Sequence, residues 1–282
     1  MKGKGGWSPK LELPLLFLSW SLFFLAGLFG SMLFSQDVNG VRSPPRLLES
    51  VEEEYSSMPH GETGESSVDL IPFQVLSWKP RARYFPHFAT AEQCQSIIEM
   101  AKSGLSPSTL VLRKGETEES TKGIRTSSGT FISASEDKTG ILDFIERKIA
   151  KATMIPRNHG EVFNILRYEI GQRYNSHYDA ISPAEYGLQT SQRIASFLLY
   201  LSDVEEGGET MFPFEHDLNI NTFNSRKCIG LKVKPRRGDG LLFYSVFPNG
   251  TIDWTSMHGS CPVIEGEKWV ATKWIRDEQQ ED

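Results

Sequence analysis

The chain has 282 residues, 39% of them hydrophobic and 11% aromatic, which is enough apolar material for a packed core and excludes a wholly disordered polypeptide. Its 36 acidic residues outnumber 30 basic ones, for a formal net charge of −6, and no Lys/Arg cluster compensates, so nucleic acid is excluded as a partner. Three cysteines, Cys94, Cys228 and Cys261, are too few for a disulfide scaffold and contain no CxxC pair suited to structural zinc.

The first 13 residues are polar and carry Lys2, Lys4 and Lys10. Residues 14–34, PLLFLSWSLFFLAGLFGSMLF, run about twenty residues without a charge, the length of helix that spans a hydrocarbon layer of roughly 30 Å. A cleaved signal peptide would have a shorter apolar region and an A-x-A-like site, which is missing, so the sequence predicts an uncleaved transmembrane signal anchor. The early lysines place residues 1–13 in the cytosol and the rest of the chain in the lumen, a single-pass type II arrangement in the endoplasmic reticulum or Golgi membrane. Residues 35–69, with Pro44-Pro45, Glu52-Glu53-Glu54 and GETGESS, lack any apolar period and read as a flexible lumenal stem. Residues 70–282 form the globule.

Thr90 followed by Gln93 has the form of a capping box, and Cys94, Ile97, Ile98 and Ala101 share one helical face, so a helix is expected at about 91–103 with Gly104 as its stop. Ile141, Leu142, Ile145 and Ile149 make the stripe of a second helix that ends before Pro156. Beyond it come short β-type runs, VFNILRY, RIASFLLYLS, IGLKVKP, DGLLFYSV and KWVATKWI, separated by turn residues such as Gly207-Gly208 and Pro248-Asn249-Gly250. Two helices followed by many strands predict a mainly β fold, a sandwich or barrel backed by helices.

Two of the six histidines sit in chemically pointed settings. In His177-Tyr178-Asp179 an extended backbone turns the imidazole and the carboxylate to the same side, which is a chelating arrangement. His258 precedes the last strand, where a β-sandwich could return it to the same cavity. Two histidines and one carboxylate make the facial triad of non-haem Fe(II) oxygenases, with three coordination positions left open. On its own H-x-D is a common chance pattern, a surface histidine beside an aspartate. Lys268 adds a second signal: alternation in KWVATKWI puts Lys268, Val270, Thr272 and Trp274 on one face and Trp269, Ala271, Lys273 and Ile275 on the other. A cation on a cavity-lining face calls for an anionic partner, such as one carboxylate of a bound diacid. His159 and His216 lie in turn-like segments and read as solvated.

Tyr168, His177-x-Asp179, Gly207-Gly208-Glu209-Thr210-x-Phe212-Pro213, Lys234-Pro235-x-x-Gly238-Asp239, His258-Gly259-x-Cys261-Pro262-Val263 and Gly266-x-Lys268-Trp269 together resemble the 2-oxoglutarate- and Fe(II)-dependent prolyl 4-hydroxylases, above all the membrane-anchored plant enzymes. The resemblance runs from about Leu70 to Asp277. It implies a double-stranded β-helix (jelly roll), His177, Asp179 and His258 as iron ligands, Lys268 as the partner of the 2-oxoglutarate C5 carboxylate, and Tyr168 as a hydrogen-bond partner of the same cosubstrate. It also implies the reaction, hydroxylation of proline C4 coupled to oxidative decarboxylation of 2-oxoglutarate to succinate and CO₂, and ascorbate as the reductant that rescues oxidised iron. The presence of Asp179 argues for hydroxylation, since related halogenases lack that carboxylate.

The expected substrate is a proline-rich secretory polypeptide in polyproline II form, whose carbonyls and flat rings suit Arg donors and aromatic faces. The candidates to line its groove are Arg125, Glu161, Tyr174, Arg193 and Trp274. In a lumenal domain Cys228 and Cys261 are expected to form a disulfide, leaving Cys94 as a buried thiol, and Asn249-Gly250-Thr251 is a glycosylation sequon in a turn. Three other readings stand beside this one. A hydroxylase of the same fold could act on another residue, a non-catalytic relative could serve as a peptide-binding subunit, and a zinc hydrolase could use the two histidines and Asp179 but would leave Lys268 unexplained. The chain carries nothing that separates a monomer from a homo- or hetero-oligomer.

Overall fold

The computed structural model describes residues 70–217, 224 and 227–280. The expected anchor and stem lie outside the described residues, and among those described no helix is long and apolar enough to cross a membrane. The chain order is β1 (Gln74–Trp78), β2 (Arg81–Phe85), α1 (Ala91–Lys102), β3 (Ser106–Pro107), β4 (Ser128–Ile132), α2 (Ile141–Thr153), β5 (Phe163–Tyr168), β6 (Tyr174–His177), a single-turn α3 (Pro183–Tyr186) and β7 (Arg193–Tyr200). There follow β8 (Glu206–Gly207), β9 (Thr210–Phe212), β10 (Leu231–Val233), β11 (Gly240–Tyr244), β12 (His258–Ser260), β13 (Val263–Glu265) and β14 (Lys268–Arg276).

Eight strands form one sheet in the order β1-β2-β11-β7-β14-β5-β4-β3, and four more form a second, β10-β9-β12-β6. The small pair β13-β8 completes the strands. Every ladder joining these strands is antiparallel. Such pairing lets a sheet keep one face for the core and give the other to a different environment.

The major sheet uses both faces. On β14, Trp269, Ala271 and Ile275 join the helix-side core with Cys94, Ile97, Ile98, Leu142, Ile145 and Ile149, whereas Val270 joins Leu166, Tyr168, Leu198 and Tyr200 in a second core on the opposite side. This is the alternation read from KWVATKWI. Lys273, on the helix side, is buried and pairs with Glu146 of α2, and its ammonium lies 4.6 Å from the centre of the Phe163 ring.

Local signals set the helices. Thr90 Oγ1 accepts from the Gln93 N–H at 3.2 Å while the Gln93 side chain accepts from the Thr90 N–H at 2.9 Å, so α1 starts with the reciprocal cap its sequence announces. Gly104 plays a different part from the one expected. It is not left-handed, and a Cβ there would come within 2.8 Å of Thr130 Oγ1, so it is kept small by packing against β4. In place of a side chain on its own N-cap, α2 uses Asp137, whose Oδ2 accepts from the Leu142 N–H at 2.8 Å.

The order of two helices and then strands needs correction: the β1–β2 hairpin precedes α1, and β3 and β4 lie between α1 and α2. The hairpin is fixed by a distant partner, since Phe85 pairs with Gly240 and Ala82 with Phe243. No local periodicity reports such a contact.

Candidate functional site

The site lies on the cavity side of the major sheet, where the second sheet brings β6 and β12 together. Antiparallel pairing sets His177, the last residue of β6, directly opposite His258, the first residue of β12, and the two imidazole centres are 4.4 Å apart. Asp179 lies two residues beyond His177. His177 Nε2 is 3.5 Å from Asp179 Oδ1, and His258 Nε2 is 3.5 Å from Asp179 Oδ2. One ligand atom from each of the three side chains falls within 4.8 Å of the others.

The surroundings prepare these atoms for a cation. His177 Nδ1 is 2.9 Å from the Asn175 carbonyl and His258 Nδ1 is 3.0 Å from the Ser256 carbonyl. A carbonyl can only accept, so each Nδ1 carries the hydrogen and each Nε2 turns its lone pair to the shared point. Burial pulls His258 down to about 4, and its neighbours His177 and Lys268 act in the same direction against the attraction of Asp179, so the ring is neutral at pH 7. Burial alone would raise Asp179, but His258, His177 and Arg193 outweigh it and hold the carboxyl well below the usual carboxylate range. Two imidazoles, each with Nε2 turned to a shared point, and one carboxylate lining the same pocket fit a borderline divalent ion such as Fe(II).

On another wall of that pocket, β5 and β14 place Tyr168 and Lys268 side by side as register partners. Lys268 is only 2% exposed. Its ammonium donates to Ser260 Oγ at 2.9 Å and lies 5.4 Å from the Tyr168 ring centre. Among the described residues no ion pair neutralises it. Burial lowers it to about 7, against a weaker pull upward from Glu209. The three-residue cluster and Lys268 line one and the same pocket.

The expected groove residues divide into two groups. Arg125, Tyr174 and Trp274 line the pocket. Tyr174 stacks on His177 with centres 3.7 Å apart, and the Arg125 guanidinium sits over the other aromatic partner of that stack, 4.8 Å from the Tyr174 ring centre. The Trp274 indole N–H is buried without a hydrogen-bond partner among the described residues. Arg193 and Glu161 are absent from the lining. Arg193 covers the Trp274 ring at 3.8 Å and donates to Glu161 from Nε and Nη2, at 2.6 and 2.7 Å, while Glu161 also accepts from Arg276 at 2.7 Å. Glu161 is therefore the counter-ion of two arginines behind the pocket wall.

His159 meets the Arg276 carbonyl at 3.0 Å and His216 is exposed beside Glu215, both apart from the cluster. Cys228 and Cys261 are joined, with Cα atoms 5.5 Å apart, and Cys94 is a buried free thiol pushed up to about 11 by burial. Asn249 is exposed in a turn, its Oδ1 accepting from the Thr251 hydroxyl at 2.7 Å. Two side chains at the site were not read from the sequence. Ser260 holds Lys268, and Ser196 donates to Asp179 Oδ2 at 2.5 Å. The available signal was each serine's place on a strand: Ser260 is two residues from His258, and Ser196 interrupts an apolar run.

With this geometry in place, comparison with known proteins gives a consistent picture. The sequence model of the 2OG-Fe(II) oxygenase superfamily matches residues 163–276, the stretch that contains all three cluster residues, Tyr168 and Lys268. The chain is 70% identical over 277 residues to probable prolyl 4-hydroxylase 9 of Arabidopsis thaliana, covering 97% of this chain and 96% of that protein. It is 54% identical over 276 residues to prolyl 4-hydroxylase 13 of the same plant, covering 97% of both. Among solved structures, the viral collagen prolyl hydroxylase of Paramecium Bursaria Chlorella virus-1, in its 2OG complex, superposes with a TM-score of 0.52 at 26% identity, over 69% of this chain and 95% of that one.

Proposed function

Because the chain belongs to the prolyl 4-hydroxylases of the 2OG-Fe(II) oxygenase superfamily, we propose that it hydroxylates proline at C4 in proline-rich polypeptides of the secretory pathway. His177, Asp179 and His258 hold Fe(II) in this reading, and Lys268 with Tyr168 holds 2-oxoglutarate. The observation that carries it is an imidazole and carboxylate cluster sharing one pocket with a buried ammonium that forms no ion pair among the described residues.

When bound, Fe(II) and 2-oxoglutarate supply the oxidising power, with O₂ consumed, the 2-oxo acid converted to succinate and CO₂, and one oxygen atom delivered to the substrate C–H bond. The protein's own groups position and insulate. The Asn175 and Ser256 carbonyls fix the imidazole tautomers, so the ligand lone pairs need no reorganisation. Asp179 offsets one unit of the cation's charge. Lys268, steered by Ser260, receives the far carboxylate of the diacid and thereby sets which end faces the metal ligands. Leu198, Val270 and Trp274 complete a wall that keeps water from the reacting atoms. Arg125 and Tyr174 offer a cation and an aromatic ring to a polyproline II peptide.

The same reading extends to the rest of the chain. Residues 14–34 anchor it, residues 35–69 hold the domain away from the bilayer, residues 70–282 work in the lumen of the endoplasmic reticulum or Golgi, Asn249 carries a glycan, and ascorbate keeps the iron reduced. The test is a panel of proline-rich peptides incubated with the enzyme, Fe(II), 2-oxoglutarate and ascorbate, read by mass spectrometry and succinate release. A gain of one oxygen atom on proline, matched by peptide-dependent succinate, is expected. Oxygen on another residue would move the substrate assignment, and succinate without peptide dependence would remove it.

A further inference from the structure

Ser196 lies on β7 between Phe243 of β11 and Trp274 of β14, its register partners on either side, and it is fully buried. Its neighbours on the strand are apolar: Ala195, Phe197, Leu198 and Leu199 all belong to the cores. A hydroxyl placed there costs free energy unless it is hydrogen-bonded, and its partner is Asp179 Oδ2, at 2.5 Å. The approach to the carboxylate is asymmetric. Oδ1 faces His177 Nε2 and receives no comparable hydroxyl among the described residues, whereas Oδ2, near His258 Nε2, has one of its lone pairs taken by Ser196.

The two oxygens are equally distant from the histidine nitrogens, 3.5 Å each, so the backbone alone does not decide how the carboxylate meets a cation. We propose that Ser196 is a positioning residue for the metal site, holding Asp179 by Oδ2 so that Oδ1 is the ligating atom. The inference rests on the three-ligand reading of His177, Asp179 and His258. Ligation through Oδ1 alone would leave more of the ion's coordination positions to other ligands than a carboxylate bound through both oxygens. Partners of this kind commonly change metal affinity by about 10- to 100-fold when removed.

The experiment uses the purified full-length protein, stripped of metal and titrated with Mn(II), with free ion counted by electron paramagnetic resonance. Wild type is expected to bind one ion per chain and His177→Ala to lose that binding. Ser196→Ala is expected to keep the wild-type circular dichroism spectrum yet bind Mn(II) about 10- to 100-fold more weakly. Ser196→Thr, which restores a hydroxyl on a residue suited to a strand, is expected to return the affinity to within about threefold of wild type. A folded Ser196→Ala protein that binds Mn(II) as tightly as wild type, or more tightly, overturns the positioning role while leaving the ligand set intact. An unfolded Ser196→Ala protein overturns it too, assigning the hydroxyl to the core. If wild type binds no Mn(II), or His177→Ala binds it unchanged, the three-ligand reading itself falls.

Discussion

A buried ammonium that shares a pocket with His177, Asp179 and His258 would, as the proposed partner of 2-oxoglutarate, make the affinity for that diacid a function of pH. Lys268 sits near 7 because burial disfavours its charge, with Glu209 the opposing anion and the Tyr168 and Tyr200 rings beside it. A dicarboxylate binds the protonated form. Below about pH 7 the ammonium is already charged and affinity is flat; above it, binding must take up a proton, so the apparent 2-oxoglutarate Kd should rise by up to about tenfold per pH unit. Calorimetry across pH 6 to 9 checks this, and Lys268→Arg, which keeps its charge, should flatten the profile. The empty site has the opposite slope. The unfolded chain retains this proton up to its usual 10.5 while the folded chain releases it near 7, so Lys268's contribution to folding stability rises with pH between those values. Lys268→Ala should raise the 2-oxoglutarate requirement by roughly one and a half to three and a half decades, from about 2–5 kcal/mol for stranding a buried charge partner, with metal binding retained. Asp179→Ala should differ in kind. It leaves a folded protein, since no packed apolar group is lost, but hydroxylation should vanish and excess 2-oxoglutarate should not restore it. A folded variant with most of its peptide-dependent succinate release would show that Asp179 is not a ligand.

At the level of elements, what was legible in the sequence was whatever depends on neighbours a few residues away. The capping box of α1 needs only Thr90 and Gln93, and the two faces of β14 follow from period two alone. The same rule put His177 and Asp179 on one side. What escaped depends on partners far along the chain. β6, β9 and β12 are only three or four residues long, too short to establish a period of their own, although they build the site. The β1–β2 hairpin is held by β11, more than a hundred residues later. Ser196 breaks an apolar run, but its role could not be read from that alone, because its partner Asp179 lies on another segment. The bond between α2 and β14 gives a test at this scale. Lys273 and Glu146 are 5% and 9% exposed, and α2 also presents Glu146 to Arg157 at 2.9 Å. Glu146→Ala removes the carboxylate from beside a buried ammonium and should cost about 3–5 kcal/mol in urea unfolding, whereas Glu146→Leu with Lys273→Met should recover most of it. A loss below about 1 kcal/mol for the single variant would mean that the pair is solvated rather than buried.

For the whole molecule, the arrangement of layers explains why one pocket can serve two demands. The major sheet spends its helix side on packing and its other side on the cavity, so Trp269 and Lys268, adjacent in sequence, face a core and a site. The sequence assigns the N-terminal residues a topological duty. An uncharged stretch at residues 14–34, preceded by three lysines, predicts a type II orientation with residues 70–282 in the lumen. Two features of the domain suit that compartment: the Cys228–Cys261 disulfide, which an oxidising lumen sustains, and the exposed Asn249 sequon. In sealed microsomes bearing the full chain, added protease should therefore remove only a short N-terminal piece and leave the catalytic domain intact until detergent opens the vesicle. Glycosidase treatment of the protected fragment should increase its gel mobility, and Asn249→Gln should abolish that shift. Digestion of the domain without detergent would place it in the cytosol, where neither the disulfide nor a glycan would be expected, and would overturn the orientation read from the lysines.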